Sequence, residues 1–174
     1  MSSPADKTDA QIDQWILNHE RNGATDAPLY RELLAERARR SEGAGRLSIG
    51  KSIELLIRAA TEQRCVTYGD LAKASGVEWS RARHKLSGAN GHLDRLLDIC
   101  HARRLPLLPA LCVNESGRES GELEPAALSG FVGGARRLGV TVVDERAFHH
   151  EARDECWRWG REQAVSETGD EGAP

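Results

Sequence analysis

The string Gly45-Arg46-Leu47-Ser48-Ile49-Gly50-Lys51-Ser52 has the letters of a phosphate-cradling loop, G-x-x-x-x-G-K-S. Its chemistry would place backbone amides and a lysine around a nucleotide's phosphates, with the serine hydroxyl on a magnesium ion. Val140-Thr141-Val142-Val143-Asp144 adds an apolar run ending in a carboxylate that could hold the same ion. Such a loop must follow a buried strand, because only then do its amides and the next helix's N-terminus converge on the phosphates. The residues before it, Leu34 to Glu42, are a charged helix end instead. No alternating series of strands and helices is present to build a parallel sheet. Gly50-Lys51-Ser52 therefore reads first as the start of a helix, and no cofactor is expected.

Thiols and imidazoles are the other reactive groups. Cys100-His101, His149-His150 and Cys156 could donate to a metal, yet no pair has zinc spacing, and His150 and Cys156 stand six apart, out of line on a helix. No metal site is expected. The four cysteines, Cys65, Cys100, Cys112 and Cys156, show neither CxxC spacing nor a tight disulfide framework, and read as small buried hydrophobes. A nucleophilic Cys–His pair is a matter of space rather than sequence, and no cysteine is singled out as activated.

Charge gives a different lead. The 174 residues carry a formal net charge of −3, which opposes a generally basic nucleic-acid binder. Phosphate contacts need only one positive face, however. Arg81, Arg83, Lys85, Arg95, Arg103 and Arg104 face only Asp94 and Asp98 in the same stretch, a surplus of four, with His84, His92 and His101 among them. Acidic residues gather elsewhere, between Glu115 and Glu124 and after Arg161.

Hydrophobic residues are 39% and charged residues 29%, proportions of a globular chain able to bury a core. No apolar run approaches the roughly 18 residues of a membrane span. The opening Met1 to Lys7 lacks a basic stretch followed by an apolar one, so a cytoplasmic location is expected.

The apolar spacing is mostly helical. Ile12, Trp15 and Ile16 make one stripe, stopped by Asn22-Gly23, and Leu29, Leu33 and Leu34 make a second behind Pro28. Ile49, Ile53, Leu56, Ile57 and Ala60 give a third helix capped near Ser48. Cys65-Val66-Thr67 is a short strand. Tyr68 to Ala74 and about Glu78 to Leu86 are two helices joined by Ser75-Gly76, a helix-turn-helix pattern. Leu93, Leu96, Leu97 and Cys100 define a further helix ending near Arg104. Leu108 to Val113 and Gly139 to Val143 read as strands, with a helix from Pro125 to Leu138 between them and a last helix striped by Phe148, Ala152, Cys156 and Trp159. Trp15, Trp157 and Trp159 read as packing residues, whereas Trp79 opens the second helix of the pair among charges.

The expected organisation is mainly α with a few short strands: a disordered start (1–8), an N-terminal helical extension (9–62), a winged-helix-like domain with a C-terminal helix (63–162), and an acidic flexible tail (163–174).

Val66-Thr67-Tyr68-Gly69-Asp70-Leu71-Ala72 resembles the start of the DNA-binding domain of O6-alkylguanine-DNA alkyltransferases and the related alkyltransferase-like proteins. Those carry V-T-Y-G-x-[LI]-A, then R-A-V-G on a recognition helix, then P-C-H-R-V. The resemblance covers about residues 60–114. It implies a phosphate contact and help with nucleotide rotation from Tyr68, and Arg81, followed by Ala82, filling the space of a flipped base. The family's glycine becomes His84, and its Pro-Cys-His-Arg site becomes Pro109-Ala110-Leu111-Cys112, leaving Ala110 at the nucleophile position. What the resemblance then implies is the scaffold, without alkyl transfer.

The leading expectation is a non-catalytic DNA-binding protein, duplex before single-stranded DNA. Tyr68, Trp79, Arg81, Arg83, His84 and Lys85 would form the contact surface, with His92, Arg95, Arg103 and Arg104 supporting phosphate contacts. A protein-interaction or inhibitory module with a protein partner is a second reading. An enzyme using Cys112 or the Gly45–Ser52 segment is a third.

Overall fold

The computed structural model describes residues 3–40, 47–86 and 91–169. Helix α1, Asp9–Arg21, begins on a reciprocal cap: Thr8 Oγ1 accepts from the Gln11 amide at 3.3 Å, while the Thr8 amide donates to Gln11 Oε1 at 2.9 Å. Asn22 and the left-handed Gly23 end it. Helix α2, Pro28–Arg40, carries at its last residue a guanidinium that donates to the carbonyls of Lys7 (2.8 Å) and Ala5 (3.0 Å) and pairs with Asp9 (2.7 Å). Residues 3–8 are thereby tied to α2, with a 3₁₀ turn at Pro4–Asp6, where composition suggested a disordered start.

Ser48 caps α3, Ile49–Thr61, by accepting from the Lys51 amide at 3.2 Å. The first turn of α3 is thus the Gly50-Lys51-Ser52 of the phosphate-loop string, and Ser52 is wholly buried, out of reach of any nucleotide's magnesium. The earlier part of that string, Gly45-Arg46, lies outside the described residues.

Strand β1 (Val66–Thr67) leads directly into α4 (Tyr68–Ala74), then α5 (Trp79–Leu86) and α6 (His92–Arg103). A 3₁₀ turn at Leu108–Leu111 precedes β2, Cys112–Val113. The two strands pair in parallel, Val66 with Cys112 and Thr67 with Val113, and are the sole sheet among the described residues. A further 3₁₀ turn (Glu115–Gly117), then α7 (Pro125–Arg137) and α8 (Glu145–Gly169), complete the chain. The fold is mainly α, as the periodicity indicates.

Three further segments differ from the sequence expectation. Leu108 to Leu111 is a 3₁₀ turn, since Pro109 has no amide to give a ladder, and only Cys112–Val113 extend. Residues 139–144 form no strand. Gly139 is left-handed, the Val140 amide donates back to Ala135 O at 3.1 Å, and Val142 is buried while Val143 is 94% exposed. The stretch closes α7 and turns into α8. That last helix runs on to Gly169, beyond residue 163 where the acidic tail was expected to begin.

One apolar cluster runs through the whole assembly, from Ile12, Leu33 and Leu56 to Leu97, Leu111, Val132 and Cys156. All four cysteines are free and buried within it. The extension and the central unit therefore share a core: α2 lies along α6, and α3 lies against α8. At the α3–α8 crossing the backbones nearly touch. A β-carbon added at Gly160 would lie 2.3 Å from the Ala60 carbonyl carbon and oxygen. Backbone cannot step aside as a side chain can. Gly160→Ala is therefore expected to lower stability by about 1–3 kcal/mol. Gly130→Ala, whose new carbon meets nothing within 4 Å, is expected to be neutral or to stabilise by up to about 1 kcal/mol. Equal thermal melting of the two variants would show that the crossing is looser than this.

Candidate nucleic-acid interface

Helix α5 is set in place by the residues before it. Thr67 is both the second residue of β1 and the N-cap of α4. Its hydroxyl accepts from the Asp70 amide at 3.3 Å, and its amide donates to Asp70 Oδ2 at 2.9 Å. Arg118 reaches across to the same Asp70 at 2.9 Å and also pairs with Glu115 at 3.0 Å, which ties the 114–124 loop to α4. The left-handed Gly76 turns the chain, and α5 buries only Ala82 and Leu86.

What remains of α5 faces outward. Arg81, Arg83, His84 and Lys85 are exposed, and Trp79 is 49% exposed. Among the described residues no carboxylate lies within ion-pair distance of Arg81, Arg83 or Lys85. Arg39, Arg40, Arg64, Arg118, Arg136, Arg137, Arg146 and Arg153, by contrast, each hold one. Arg81, His84 and Lys85 share a helical face through i, i+3, i+4 spacing. Arg83 points to another side, where its Nε lies 3.2 Å from His84 Nε2 and where it lines a cleft of about 210 Å³ with Tyr68, Trp79 and Asn114.

Tyr68 and the small residues Ala126 and Ala127 also line a second, larger cavity of about 590 Å³. It lies between α6 and one face of α7, with apolar walls that include Leu93, Leu97 and Phe131. Gly130, Gly133 and Gly134 of α7 line it as well. Gly134 packs closely, since a β-carbon there would sit 2.5 Å from Leu97 Cδ1 and that buried side chain would have to shift. Gly130 and Gly133 do not, since carbons there would meet nothing within 4 Å. Leu123 closes another side, and its neighbour Glu122 is fastened to α8 through Arg146 and His150, each at 2.7 Å. No protein-family model, curated protein or solved structure significantly matches this chain.

The charged residues of the cavity are Asp94 and Arg137. Arg137 is mostly buried and donates to Asp98 and, at 3.3 Å, to Glu20, which also accepts from Tyr30 at 3.1 Å. None of these was singled out from the sequence as a site residue. The signal available was the Gly133-Gly134 pair inside a helical segment, which marks close packing or a surface kept open.

The basic stretch from Arg81 to Arg104 is not one face. His92 is only 4% exposed, and its Nε2 shares a 2.8 Å hydrogen bond with the buried Ser52 hydroxyl. Burial, with Arg95 adding, pushes its pKa down to about 4. It is a core group, not a phosphate contact. Arg95 lies partly buried beside it. Arg103 and Arg104 are exposed but end α6, about 16 Å along its axis from His92. There Arg103 lines a separate depression with Ala5, Glu32 and Arg39. The structure thus gathers Tyr68, Trp79, Arg81, Arg83, His84 and Lys85, and leaves His92, Arg103 and Arg104 apart.

Cys112 borders the cavity but is 2% exposed, and burial raises its thiol pKa well above the ordinary value, with Asp70 and Cys65 adding. Burial likewise raises the pKa of the Tyr68 hydroxyl. Among the described residues no group of three or more His, Cys, Asp or Glu could hold a metal ion, and no helix is long and apolar enough to cross a membrane.

His92 gives a pH prediction. Its pKa falls from 6.5 unfolded to about 4 folded, so the unfolded chain binds the proton more readily between those values. Its contribution is complete above pH 6.5 and is lost as pH falls towards 4. Denaturant unfolding from pH 7 to 4 should show stability falling with pH, and His92→Gln should flatten that slope. An unchanged slope would place the titrating group elsewhere.

Proposed function

We propose that the protein binds duplex DNA through α5 and does not react with it. The observation that carries this is the exposed face of α5: Arg81, Arg83 and Lys85 stand together on one short helix without acidic partners, in a protein of net negative charge. Unpaired cations on a short exposed helix behind a glycine turn suit a recognition helix in a helix-turn-helix unit, with phosphates as their missing partners. β1 and β2 are parallel and so form no hairpin wing, leaving α5 and the Tyr68–Trp79 cleft as the contact surface.

The cleft adds a second element. A base turned out of the stack at Tyr68 would find the larger cavity directly behind it, because cleft and cavity share that side chain and the small face of α7. Leaving the stack costs a few kcal/mol, and an apolar pocket with hydrogen-bonding groups can return it. Trp79 and the aliphatic stem of Arg83, beside Tyr68, are suited to fill the space left behind.

Fluorescence anisotropy with a labelled duplex should show binding that weakens steeply with salt. Arg81→Ala with Lys85→Ala should weaken it at least about tenfold at low salt and make the slope of log K against log salt less steep by about 2. Arg103→Ala with Arg104→Ala, at the far end of α6, should change it little. Absence of binding at low salt, or an equal effect of both double variants, would refute the α5 surface.

A further inference from the structure

The small cleft beside α5 and the larger cavity adjoin, since Tyr68, Ala126 and Ala127 line both, yet their chemistry differs. The cleft is rich in donors. Arg83 engages only its Nε within the protein, at His84, and its two terminal nitrogens hold no partner among the described residues. Asn114 accepts from the Glu124 amide at 3.4 Å through its Oδ1, which leaves its amino group without a partner among the described residues. The Tyr68 hydroxyl has none among them either, and burial keeps it protonated. No carboxylate lines this cleft among the described residues. Glu124, whose charge reaches Tyr68, accepts from Ser116 Oγ at 2.9 Å and makes no ion pair with Arg83. The cavity is apolar where it meets the cleft. From Ala126 to Gly134 its small-residue face runs about 12 Å along the axis of α7. The charged residues of its lining stand at the far end: Asp94 Oδ1 lies 3.1 Å from where a β-carbon on Gly134 would be, and Arg137 follows further along α7. These two are of opposite sign, and the charge of Asp94 acts on Arg137. The surplus charge along cleft and cavity is therefore Arg83.

We infer that cleft and cavity form one binding site for an amphipathic monocarboxylate of the fatty-acid type, with its head on Arg83 and its chain along α7. A guanidinium pairs with a carboxylate through two parallel N–H···O bonds, and the Asn114 amide and Tyr68 hydroxyl supply donors for the remaining lone pairs. The head meets no carboxylate in the cleft, and Asp94 stands at the other end of the cavity. An unbranched chain can follow the small-residue face, where Gly130 and Gly133 leave open space, and stop short of Asp94 and Arg137. The volume of about 590 Å³ is that of a small-molecule pocket. Chain burial supplies the affinity, and the guanidinium selects the head group. The inference needs neither duplex DNA nor an extruded base, although a chain in the cavity would occupy the space such a base requires.

Calorimetric titration of the full chain with octanoate, octan-1-ol and octylammonium, each below micelle formation, separates head from chain. Octanoate should bind about tenfold more tightly than octanol, and octylammonium more weakly than either. Hexanoate should bind more weakly than octanoate, by up to about fourfold for each methylene removed. Arg83→Gln should bring octanoate down to the affinity of octanol and leave octanol binding as it was. Gly133→Leu, whose side chain enters open space, should abolish binding of both while the melting temperature of the unliganded protein stays the same. Arg83 is exposed, so its variant tests the head site whatever Gly133→Leu does to folding. Octanol or octylammonium binding as tightly as octanoate, no octanoate binding at millimolar concentration, octanoate affinity indifferent to Arg83→Gln, or octanoate binding retained in folded Gly133→Leu would each overturn the inference. No DNA enters these titrations, so the duplex surface stands or falls separately on the Arg81/Lys85 measurement.

Discussion

Val66 pairs with Cys112 and Thr67 with Val113 in parallel register, and the placement of the candidate site follows from those two pairs. A parallel pair needs a long crossover, here α4, α5 and α6, so the connection itself becomes the working part of the molecule. Thr67 serves twice, as a strand residue and as the cap of α4. Pairing therefore fixes where α4 starts, and Tyr68, its first residue, lands beside Cys112 at the edge of the cavity. The turn at Gly76 then projects α5 from a rigid base. On the other strand, the Leu108–Leu111 turn packs against α3 and α8, which anchors the pair in the shared core.

Charge is distributed in two ways around this frame. Inside, Arg137 is held by Asp98 and Glu20, and its removal would take from the buried Asp98 its ion-pair partner, a large penalty in a low-dielectric interior. Outside, on α5, the cations are solvated and face nothing of opposite sign. The first arrangement stabilises a particular packing of α1, α2, α6 and α7. The second leaves an electrostatic field that a polyanion can use. The two regions meet at the wall formed by Tyr68, Ala126 and Ala127.

The helices were legible because their apolar spacing is strong: the stripes at Ile12–Ile16, Ile49–Ala60 and Leu93–Cys100 each become a buried face. Strand signals were weaker evidence. Val140 to Val143 has strand-forming residues, but it has no partner to pair with, and one buried valine suffices to hold the segment. Linear charge also misled, since a surplus counted along the chain says nothing of direction. His92 points inward to Ser52, while Arg103 emerges at the opposite end of the same helix. The cavity was the least legible part. It exists because α7 keeps glycine where packing would permit larger residues, and an open space has no residue type of its own.

The same geometry bears on why binding, rather than reaction, is the reading this site supports. An extended strand from Leu108 to Val113 would put Cys112 on the same face as Ala110, but the 3₁₀ turn through Leu111 breaks that alternation. Ala110 has no group that can attack, and the histidine nearest it in the fold, the fully buried His149, joins its Nε2 to the Ala110 carbonyl at 3.0 Å. That imidazole supports the backbone. Burial, partly opposed by this hydrogen bond, lowers its pKa and keeps it neutral. The one thiol at the cavity is held protonated by burial and by the negative charge of Asp70, whereas a sulfur nucleophile works as the thiolate. Tyr68 is likewise kept neutral. Cys112, Tyr68 and His149 are thus held in their neutral forms, able to pack and to hydrogen-bond.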